Sequence, residues 1–234
     1  MRQVLVTGGG RNIGRAVVER VNADDMKAVI FDLVEPDWPF DGRFIKVDLS
    51  DRGATQAALD QALDGDPITS IVNNVGIVRP ASLEETRLED FDVVMSVNVS
   101  CAIQCTKALL PAMRAAKFGR IVNVSSRSAR GKALRTNYAA SKAAMHGLAL
   151  TWALELGPFG ITANAVGPGS IETSLFHQNN PADSPRTKAI IDAIPAGRLG
   201  TTHDVAQAVA FFLDKRSSFI SGQVVYVCGG LTAG

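Results

Sequence analysis

The chain of 234 residues lacks the features that mark several classes of protein. Its formal net charge is +1 and its lysines and arginines form no run, which argues against nucleic acid or an anionic membrane as the main partner. It has three cysteines, without a C-x-x-C pair and without a cluster of histidine and cysteine ligands. An odd cysteine count in a chain of this length predicts a reduced, intracellular protein, and no metal site is expected.

Three further absences narrow the possibilities. No charged region, apolar core and cleavage site precede the first strand-like segment, so we expect no signal peptide and a cytoplasmic location. Polar residues interrupt the longest apolar stretches before the roughly 20 residues of a membrane span, so we expect no membrane partner. The sequence has no G-x-S-x-G motif, which argues against a serine hydrolase of the α/β type.

Short β-branched runs alternate with longer amphipathic segments along the chain, a pattern typical of βαβ units around a parallel sheet. Several of the runs are apolar throughout, as expected when helices cover both faces of the sheet. The predicted strands are Gln3–Thr7, Ala28–Asp32, Phe44–Asp48, Ser70–Asn74, Arg120–Ser125, Thr162–Val166 and Val224–Val227. The predicted helices are Ile13–Val21, Arg52–Leu63, Leu88–Ala116, Tyr138–Leu156 and His203–Leu213.

This pattern predicts an α/β fold: a single Rossmann-type, doubly wound, seven-stranded parallel sheet flanked by helices on both faces. No linker divides the chain, so residues 1–234 are expected to form one domain. The one long segment without strands, Ser170–Gly200, follows the carboxyl end of a predicted strand. We interpret it as a substrate lid, with an ordinary surface loop as the alternative.

A glycine-rich turn, Thr7-Gly8-Gly9-Gly10-Arg11-Asn12-Ile13-Gly14, lies between the first strand and the first helix. Glycines at such a turn allow positive φ and let backbone N–H groups approach a pyrophosphate, while the helix N-terminus adds partial positive charge. A flexible loop would also be rich in glycine. The placement between strand and helix favours a dinucleotide site.

Asp32 ends the second predicted strand, 18 residues after Gly14. A carboxylate there can accept hydrogen bonds from both adenine-ribose hydroxyls and repels a 2′-phosphate, which favours NAD over NADP. Arg11 points the other way, since a cation inside the turn could pair with a 2′-phosphate. We give Asp32 the greater weight and predict NAD.

Tyr138 and Lys142 lie four residues apart on a predicted helix, so the phenol and the ammonium share one face. A nearby cation favours the phenolate, so we expect Lys142 to lower the pKa of Tyr138 from about 10. Such a pair can exchange a proton with a substrate oxygen near neutral pH. A Tyr-x-x-x-Lys motif alone is common by chance.

Taken together, these motifs resemble the short-chain dehydrogenase/reductase family, in its classical form, over essentially the whole chain. The branch that is most similar in general pattern contains the 3-oxoacyl-acyl-carrier-protein reductases. Six segments match in order: Thr7–Gly14; Asp48-Leu49; Asn73-Asn74-Val75-Gly76; Asn98; Val124-Ser125-Ser126 with Tyr138 and Lys142; and Pro168-Gly169 through Thr173.

The resemblance implies an acid/base system of four residues. Tyr138 is the expected general acid/base, and Lys142 is expected to hold the nicotinamide ribose. A serine after the fifth strand is expected to bind the substrate oxygen, and Asn98 to anchor a water that links Lys142 to solvent. The alternative for Asn98 is a buried asparagine bonded only to backbone.

The resemblance also implies which residues contact the dinucleotide. They are Gly8, Arg11, Asn12, Ile13 and Gly14 in the turn; Asp32, Leu33, Asp48, Leu49, Asn74, Val75 and Gly76 on the adenosine side; Tyr138 and Lys142 at the nicotinamide ribose; Pro168, Gly169 and Ile171 at the nicotinamide amide; and Thr173 at the pyrophosphate. Asp48 could instead cap the following helix, and Pro168-Gly169 could be an ordinary turn.

Three positions depart from the family pattern, and one assignment is ambiguous. Asn12 replaces the middle glycine of the turn but tolerates left-handed backbone, Val75 replaces an alanine, and Cys228 stands where the family often has aspartate. The usual serine–tyrosine spacing of the family selects Ser125, whereas strand register selects Ser126. We choose Ser126, because loops absorb deletions more easily than strands do.

The expected reaction is hydride transfer between NAD(H) and a small secondary alcohol or ketone, with an NADPH-dependent 3-oxoacyl-acyl-carrier-protein-type ketoreductase as the alternative. Several cationic side chains near the site could hold a substrate carboxylate or phosphate, or could be solvated surface: Arg127, Arg130, Lys132, Arg135, His177 and Arg186. The resemblance further implies a homo-oligomer, a tetramer or a dimer.

Overall fold

Seven strands form one parallel sheet in a computed structural model that describes residues 1–233. The strand order is β3-β2-β1-β4-β5-β6-β7, and every pairing is parallel. The strands are β1 Gln3–Thr7, β2 Lys27–Asp32, β3 Gly42–Lys46, β4 Ile68–Asn73, β5 Gly119–Val124, β6 Ile161–Pro168 and β7 Val224–Val227. The predicted doubly wound α/β architecture is confirmed.

Helices cover both faces of this sheet. They are α1 Asn12–Ala23, α2 Arg52–Leu63, α3 Leu88–Met95, α4 Cys101–Ala115, α5 Thr136–Leu156, α6 Ser174–Asn179, α7 Pro185–Asp192 and α8 Thr202–Leu213. On one face α1 and α8 pack against side chains such as Val4 and Val6, and on the other α2 and α4 pack against side chains such as Leu5. Both faces are therefore dry, which explains why strands such as β1 are apolar at consecutive positions.

The winding of the chain reverses between β1 and β4, which are neighbours in the sheet although β2 and β3 separate them in sequence. In doubly wound sheets this reversal opens a crevice at the carboxyl ends of the strands. The glycine-rich turn follows β1 and Asn74 follows β4, so both lie at this crevice.

The long helix predicted over Leu88–Ala116 is present, but a π-helical turn at Ser96–Ser100 separates α3 from α4. Its 28 residues, Leu88–Ala115, are long and apolar enough to span a membrane, which the sequence analysis expected of no segment. Half of its most apolar stretch is buried in the protein, as in the core helix of a soluble protein. Length and composition are therefore weak support for a membrane span here.

Cys101 and Cys105 belong to the buried face of α4. Burial raises the pKa of the Cys101 thiol to about 12 and raises that of Cys105 as well. Thiols that stay protonated are poor nucleophiles and poor metal ligands. The two cysteines therefore act as small core residues.

The segment Ser170–Gly200 has no strand, as predicted, but it contains α6 and α7, which the sequence analysis missed. Each helix begins at a capping side chain: the hydroxyl of Thr173 accepts from the Phe176 N–H, and that of Ser184 accepts from the Thr187 N–H. Helices of six and eight residues are too short for a clear apolar period, so their sequence signals are the caps and, in α7, the proline at its first position.

Candidate active site

The glycine-rich turn brings backbone close to backbone. Gly8 has a φ of +67°, and Asn12 has a φ of +51°, the left-handed conformation expected of it. A Cβ on Gly14 would lie 1.9 Å from the carbonyl oxygen of Gly8, so helix α1 approaches the turn as closely as only glycine allows. The turn is a cradle that side chains would fill, and this fits a pyrophosphate above the N-terminus of α1.

The asparagine in the turn also reaches the segment predicted as a lid. The Asn12 amide nitrogen donates to the Ser174 hydroxyl at 3.1 Å, and the Ser174 backbone N–H donates to the Asn12 amide oxygen at 3.1 Å. A glycine at position 12 could make neither bond. Sequence analysis missed this link between the turn and α6, because it joins residues 162 positions apart.

Asp32 lies at the end of β2 with both carboxylate oxygens bonded to backbone. One oxygen accepts from the Gly10 N–H at 2.9 Å and the other from the Val34 N–H at 3.1 Å. These bonds fix a negative charge beside the turn. Arg11 is exposed, and so is Leu33, which offers an apolar surface beside Asp32.

Asp48 does not cap helix α2, which was the alternative interpretation of this residue. Asp51 caps that helix, and the Asp48 carboxylate accepts from both the hydroxyl and the N–H of Ser50. These hydrogen bonds lower the pKa of Asp48, so this exposed carboxylate is held in its ionised form. The neighbouring Leu49 is buried in the core, with 6% of its surface exposed.

Asn74 ties the end of β4 to the glycine-rich turn, because its side-chain amide donates to the carbonyl oxygens of Thr7 at 3.0 Å and Gly8 at 2.9 Å. Val75 packs against the core from a half-buried position. Gly76 is exposed and lies closer to the acid/base residues than expected. A Cβ there would lie 3.1 Å from Lys142 Nζ and 3.4 Å from Asn98 Oδ1, so it borders the acid/base residues rather than adenosine alone.

The two candidate serines have different surroundings. Ser125 is buried, and its hydroxyl donates to the Lys142 carbonyl oxygen at 2.7 Å. Ser126 is half-buried, and it lies close enough to Tyr138 for its side chain to oppose the rise in the pKa of the phenol. The geometry therefore brings Ser126, the serine chosen from strand register, to the phenol.

Burial raises the pKa of Tyr138, while the Ser126 side chain and the charge of Arg135 oppose this rise. The expectation that Lys142 lowers this pKa is wrong for this structure. The ammonium lies 5.7 Å from the centroid of the phenol ring and donates to the Val124 carbonyl oxygen at 2.8 Å. The effect of burial on the pKa of Tyr138 is therefore larger than the opposing effects of Ser126 and of the charge of Arg135.

Lys142 is buried, and burial lowers its pKa from 10.5 to about 8. Asn98, in the π-helical turn, is also buried. Its amide bonds the backbone of Ile77 through both oxygen and nitrogen, and donates to the Ser141 hydroxyl at 2.9 Å. Asn98 therefore holds the loop after β4 against α5, and Ser141, which sequence analysis missed, is its side-chain partner.

The lowered pKa of Lys142 predicts a pH-dependent stability. Between about pH 8 and 10.5 the unfolded chain binds a proton that the folded chain has released, so raising the pH favours folding. The free energy of unfolding should rise, relative to a Lys142→Met variant, by on the order of 1 kcal/mol per pH unit. Urea unfolding at pH 7, 8, 9 and 10 checks this, and parallel curves for the two proteins would contradict it.

The residues expected at the nicotinamide amide lie at the carboxyl end of β6. Pro168 ends this strand, and a Cβ on Gly169 would lie 2.8 Å from the Cα of Cys228 after β7, so only glycine fits there. Ile171 is buried where it forms a bridge to Gly200, which closes the base of the segment predicted as a lid.

Two residues near these positions already have hydrogen-bond partners. The Thr173 hydroxyl accepts from the Phe176 N–H at 3.1 Å, so only its proton is left for a phosphate. Cys228 stands where the family often has aspartate, which could have removed a local hydrogen bond. In the structure its sulfur makes one, since it lies 3.1 Å from the Thr232 hydroxyl.

The surroundings of the site fit a nicotinamide dinucleotide. The turn offers backbone N–H groups and Asp32 a fixed carboxylate at one end of the crevice, and Tyr138 lies at the other end, after β5. Among residues 1–233 no three His, Cys, Asp or Glu side chains are grouped as they would be around a metal ion.

Comparisons with known proteins agree along the whole chain. A family model described as enoyl-(acyl carrier protein) reductase matches residues 8–232. The chain is 34% identical to the 3-oxoacyl-acyl-carrier-protein reductase MabA of Mycobacterium avium, covering 100% of this chain and 91% of that protein. It is also 34% identical to the short-chain reductase protein NovJ of Streptomyces niveus, covering 97% of this chain and 92% of NovJ.

A solved structure extends the likeness to the fold. The gluconate 5-dehydrogenase from Burkholderia cenocepacia, crystallised in complex with NADP and tartrate, superimposes with a TM-score of 0.91 at 28% identity, covering 100% of this chain and 96% of that one. Family, sequence and fold therefore agree with the site. The chain belongs to the short-chain dehydrogenase/reductase family, in its classical form, and is an oxidoreductase that interconverts CH–OH and keto groups with NAD(P).

Proposed function

We propose that the protein is an NAD(H)-dependent oxidoreductase that interconverts a secondary alcohol and a ketone, with Tyr138, Ser126, Lys142 and Asn98 as its acid/base system. The observation that carries this proposal is the position of Ser126 beside Tyr138, with the ammonium of the buried Lys142 at 5.7 Å from the centroid of the phenol ring. These side chains come from the end of β5 and the first two turns of α5, so the fold holds them at the crevice where the glycine-rich turn lies.

Tyr138 is proposed to exchange the proton. Because burial raises its pKa, the phenol stays protonated at neutral pH, which is the form needed to give a proton to a ketone oxygen. The Ser126 hydroxyl donates a hydrogen bond to the same substrate oxygen. The reverse reaction needs the phenolate, which the Ser126 side chain and the charge of Arg135 stabilise, because both oppose the rise in the pKa of Tyr138.

A bound nicotinamide supplies the hydride in reduction and takes it in oxidation. The residues proposed to hold the dinucleotide are those of the glycine-rich turn and Thr173 at the pyrophosphate; Asp32, Leu33, Asp48, Leu49, Asn74, Val75 and Gly76 at the adenosine side; and Pro168, Gly169 and Ile171 at the nicotinamide amide.

NAD is proposed over NADP because the Asp32 carboxylate is held in place by two backbone N–H groups and would lie against a 2′-phosphate. We expect kcat/KM with NADH to exceed that with NADPH by at least about tenfold, a difference of roughly 1.4 kcal/mol. In an Asp32→Ser variant this ratio should fall toward one. Initial rates with both cofactors check this, and a wild-type preference for NADPH would favour the ketoreductase alternative, in which Arg11 pairs with the phosphate.

Replacing Ser126 and replacing Ser125 by alanine should affect turnover differently. Ser126→Ala should lower kcat by about 10²–10³-fold, because it removes a donor to the reacting oxygen. It should also lower the free energy of unfolding by about 1 kcal/mol, because the Ser126 hydroxyl accepts from the Ser128 N–H at 3.1 Å and caps the short helix that follows. Ser125→Ala should lower the free energy of unfolding by about 0.5–1.5 kcal/mol, because it removes one buried hydrogen bond to the Lys142 carbonyl oxygen. Steady-state rates and urea unfolding of both variants test the assignment, and a larger loss of kcat in Ser125→Ala would reverse it.

A screen of absorbance at the NADH band, across alcohols, hydroxy acids, sugars and ketoacyl thioesters, tests the proposed function and its alternative together. A substrate outside the thioesters supports the NAD(H)-dependent dehydrogenase. Turnover of ketoacyl thioesters with NADPH alone would favour the ketoreductase, which the likeness to MabA also supports. No turnover with either cofactor across the screen would count against both.

We further propose that the protein acts as a homo-oligomer in the cytoplasm and that residues 170–200 form the substrate lid. Apolar side chains exposed on α4 and α5 support the first point, among them Ile103, Leu150 and Leu154. Sedimentation at several concentrations tests the homo-oligomer, and a persistent monomer would exclude it.

The hydrogen bonds between Asn12 and Ser174 support the proposal that residues 170–200 form the lid, because they join that segment to the glycine-rich turn.

A further inference from the structure

Residues 173–193, the middle of the proposed lid, are only loosely attached to the rest of the protein. Helix α6 has no buried residue, and none of the apolar side chains in residues 173–193 is buried. The two buried side chains of this segment are polar, and both bond within it: Asn180 to the Phe176 carbonyl oxygen and Thr187 to that of Pro181. Segments with few buried apolar contacts open at a low cost in free energy, so this part of the lid is the part that can move.

The two ends of the proposed lid are held by backbone hydrogen bonds. At its base the Gly200 N–H donates to the Ser170 carbonyl oxygen at 3.0 Å, and the Glu172 N–H donates to the Gly200 carbonyl oxygen at 2.8 Å. Near its carboxyl end the Ala196 N–H donates to the Gly229 carbonyl oxygen, after β7, at 3.0 Å. The lid therefore has fixed ends and a movable middle.

Asn12 attaches this movable middle to the glycine-rich turn. Besides the two bonds described above, the Ser174 hydroxyl donates to the Asn12 amide oxygen at 3.2 Å. Among residues 1–233, the bonds between Asn12 and Ser174, here called the latch, are the only hydrogen bonds that join residues 173–193 to the remainder of the chain. Ser174 directly follows Thr173, which is proposed to contact the pyrophosphate. The latch therefore fixes the lid beside the proposed pyrophosphate site.

We infer that Asn12 is a positioning residue: the latch holds residues 173–193 over the glycine-rich turn, and its opening controls release of the dinucleotide. The inference rests on the proposed function, which places the pyrophosphate at this turn. The φ of +51° at Asn12 is one that glycine also adopts, so the backbone of the turn does not require an amide side chain. The latch is exposed and consists of few bonds, so it can open and close in each turnover.

Stopped-flow tryptophan fluorescence, after the NADH complex is mixed with excess NAD⁺, measures release of NADH and tests the inference. Trp38 reports on the turn, because its indole donates to the Gly10 carbonyl oxygen at 3.3 Å. Asn12→Gly keeps the backbone conformation and removes the latch, so the rate constant of release should rise by at least about threefold. Gln178→Ala is the matched control, since Gln178 is exposed on the same helix, and it should change this rate constant by less than about twofold.

A double-mutant cycle distinguishes the latch from a general disturbance of the turn. Ser174→Ala removes the hydroxyl and keeps the N–H, so it should speed release less than Asn12→Gly does. The combined variant should release NADH no faster than Asn12→Gly alone, because both changes remove the same contact.

Hydrogen exchange gives a second readout that needs no cofactor. In Asn12→Gly the amides of residues 173–193 should exchange faster than in the wild type, because the movable middle of the lid has lost its attachment. The Ala196 amide, which is bonded to Gly229, should exchange at the same rate in both proteins and serves as the internal control.

The outcomes separate the inference from the proposed function. If the wild type binds neither NADH nor NADPH, both are overturned. If it binds NADPH instead of NADH, release is measured with NADPH. With either dinucleotide bound, the inference alone is overturned if Asn12→Gly releases it at the wild-type rate, if the effects of Asn12→Gly and Ser174→Ala multiply, or if residues 173–193 exchange equally in both proteins.

Discussion

Replacing Tyr138 by phenylalanine should lower kcat/KM by about 10²–10⁴-fold, the usual contribution of a positioned general acid. The variant loses one oxygen and keeps the ring, so the packing of α5 should be preserved. Binding of NADH, measured by tryptophan fluorescence, should change less than threefold. The loss should appear in kcat more than in KM, because proton transfer takes place only in the reaction step.

A second tyrosine-to-phenylalanine variant shows whether the substitution itself disturbs the structure. Tyr226 serves, because it is the second tyrosine of the chain and its ring packs against His146 and the backbone at Gly167 rather than against Ser126. Tyr226→Phe should retain turnover to within a few-fold. If Tyr138→Phe turned over substrate as fast as the wild type, the phenol could not be the acid, and the proposed mechanism would be wrong.

Replacing Gly14 by alanine should disrupt the dinucleotide site and the fold together. The added Cβ would lie 1.9 Å from the Gly8 carbonyl oxygen, a backbone atom that cannot turn away. Helix α1 must therefore shift, and with it the core that it forms with α8. We expect a loss of about 1–3 kcal/mol in the free energy of unfolding, the usual effect of overpacking, and at least tenfold weaker NADH binding.

Gly157→Ala is the matched substitution for this test. Gly157 has φ −50° and ψ −43°, which any residue adopts, and an added Cβ would meet no atom within 4 Å. Its free energy of unfolding should stay the same or rise by about 0.4–1 kcal/mol, because alanine restricts the unfolded chain. Equal stability of Gly14→Ala and Gly157→Ala in urea would show that the turn is looser than its backbone distances imply.

The fold could be predicted because its signal is local and repeated. Apolar runs such as Gln3–Thr7 and Val224–Val227 have the predicted bounds in the structure. Helices α6 and α7 were missed because they are shorter than the stretch over which an apolar period becomes visible. The π-helical turn at Ser96–Ser100 was missed because it depends on where the Asn98 amide finds backbone partners.

Within the site, sequence was informative about which side chains meet and less so about their electrostatics. Register along β5 was enough to choose Ser126, since neighbouring positions of a strand face opposite ways. The direction of the Tyr138 pKa shift was wrong, because it depends on burial and on the Val124 carbonyl oxygen that Lys142 contacts. The catalytic and cofactor-binding roles stay predictions until variants are measured.

The proposed mechanism requires one spatial relation: a dinucleotide whose pyrophosphate lies over the glycine-rich turn must place its nicotinamide beside Tyr138. A crystal structure of the protein with NADH measures this relation directly. We expect the pyrophosphate over the turn between Gly8 and Gly14, the adenine ribose against Asp32, and the nicotinamide beside the Tyr138 hydroxyl. A dinucleotide bound elsewhere, or a Tyr138 hydroxyl directed away from the nicotinamide, would contradict the proposed mechanism.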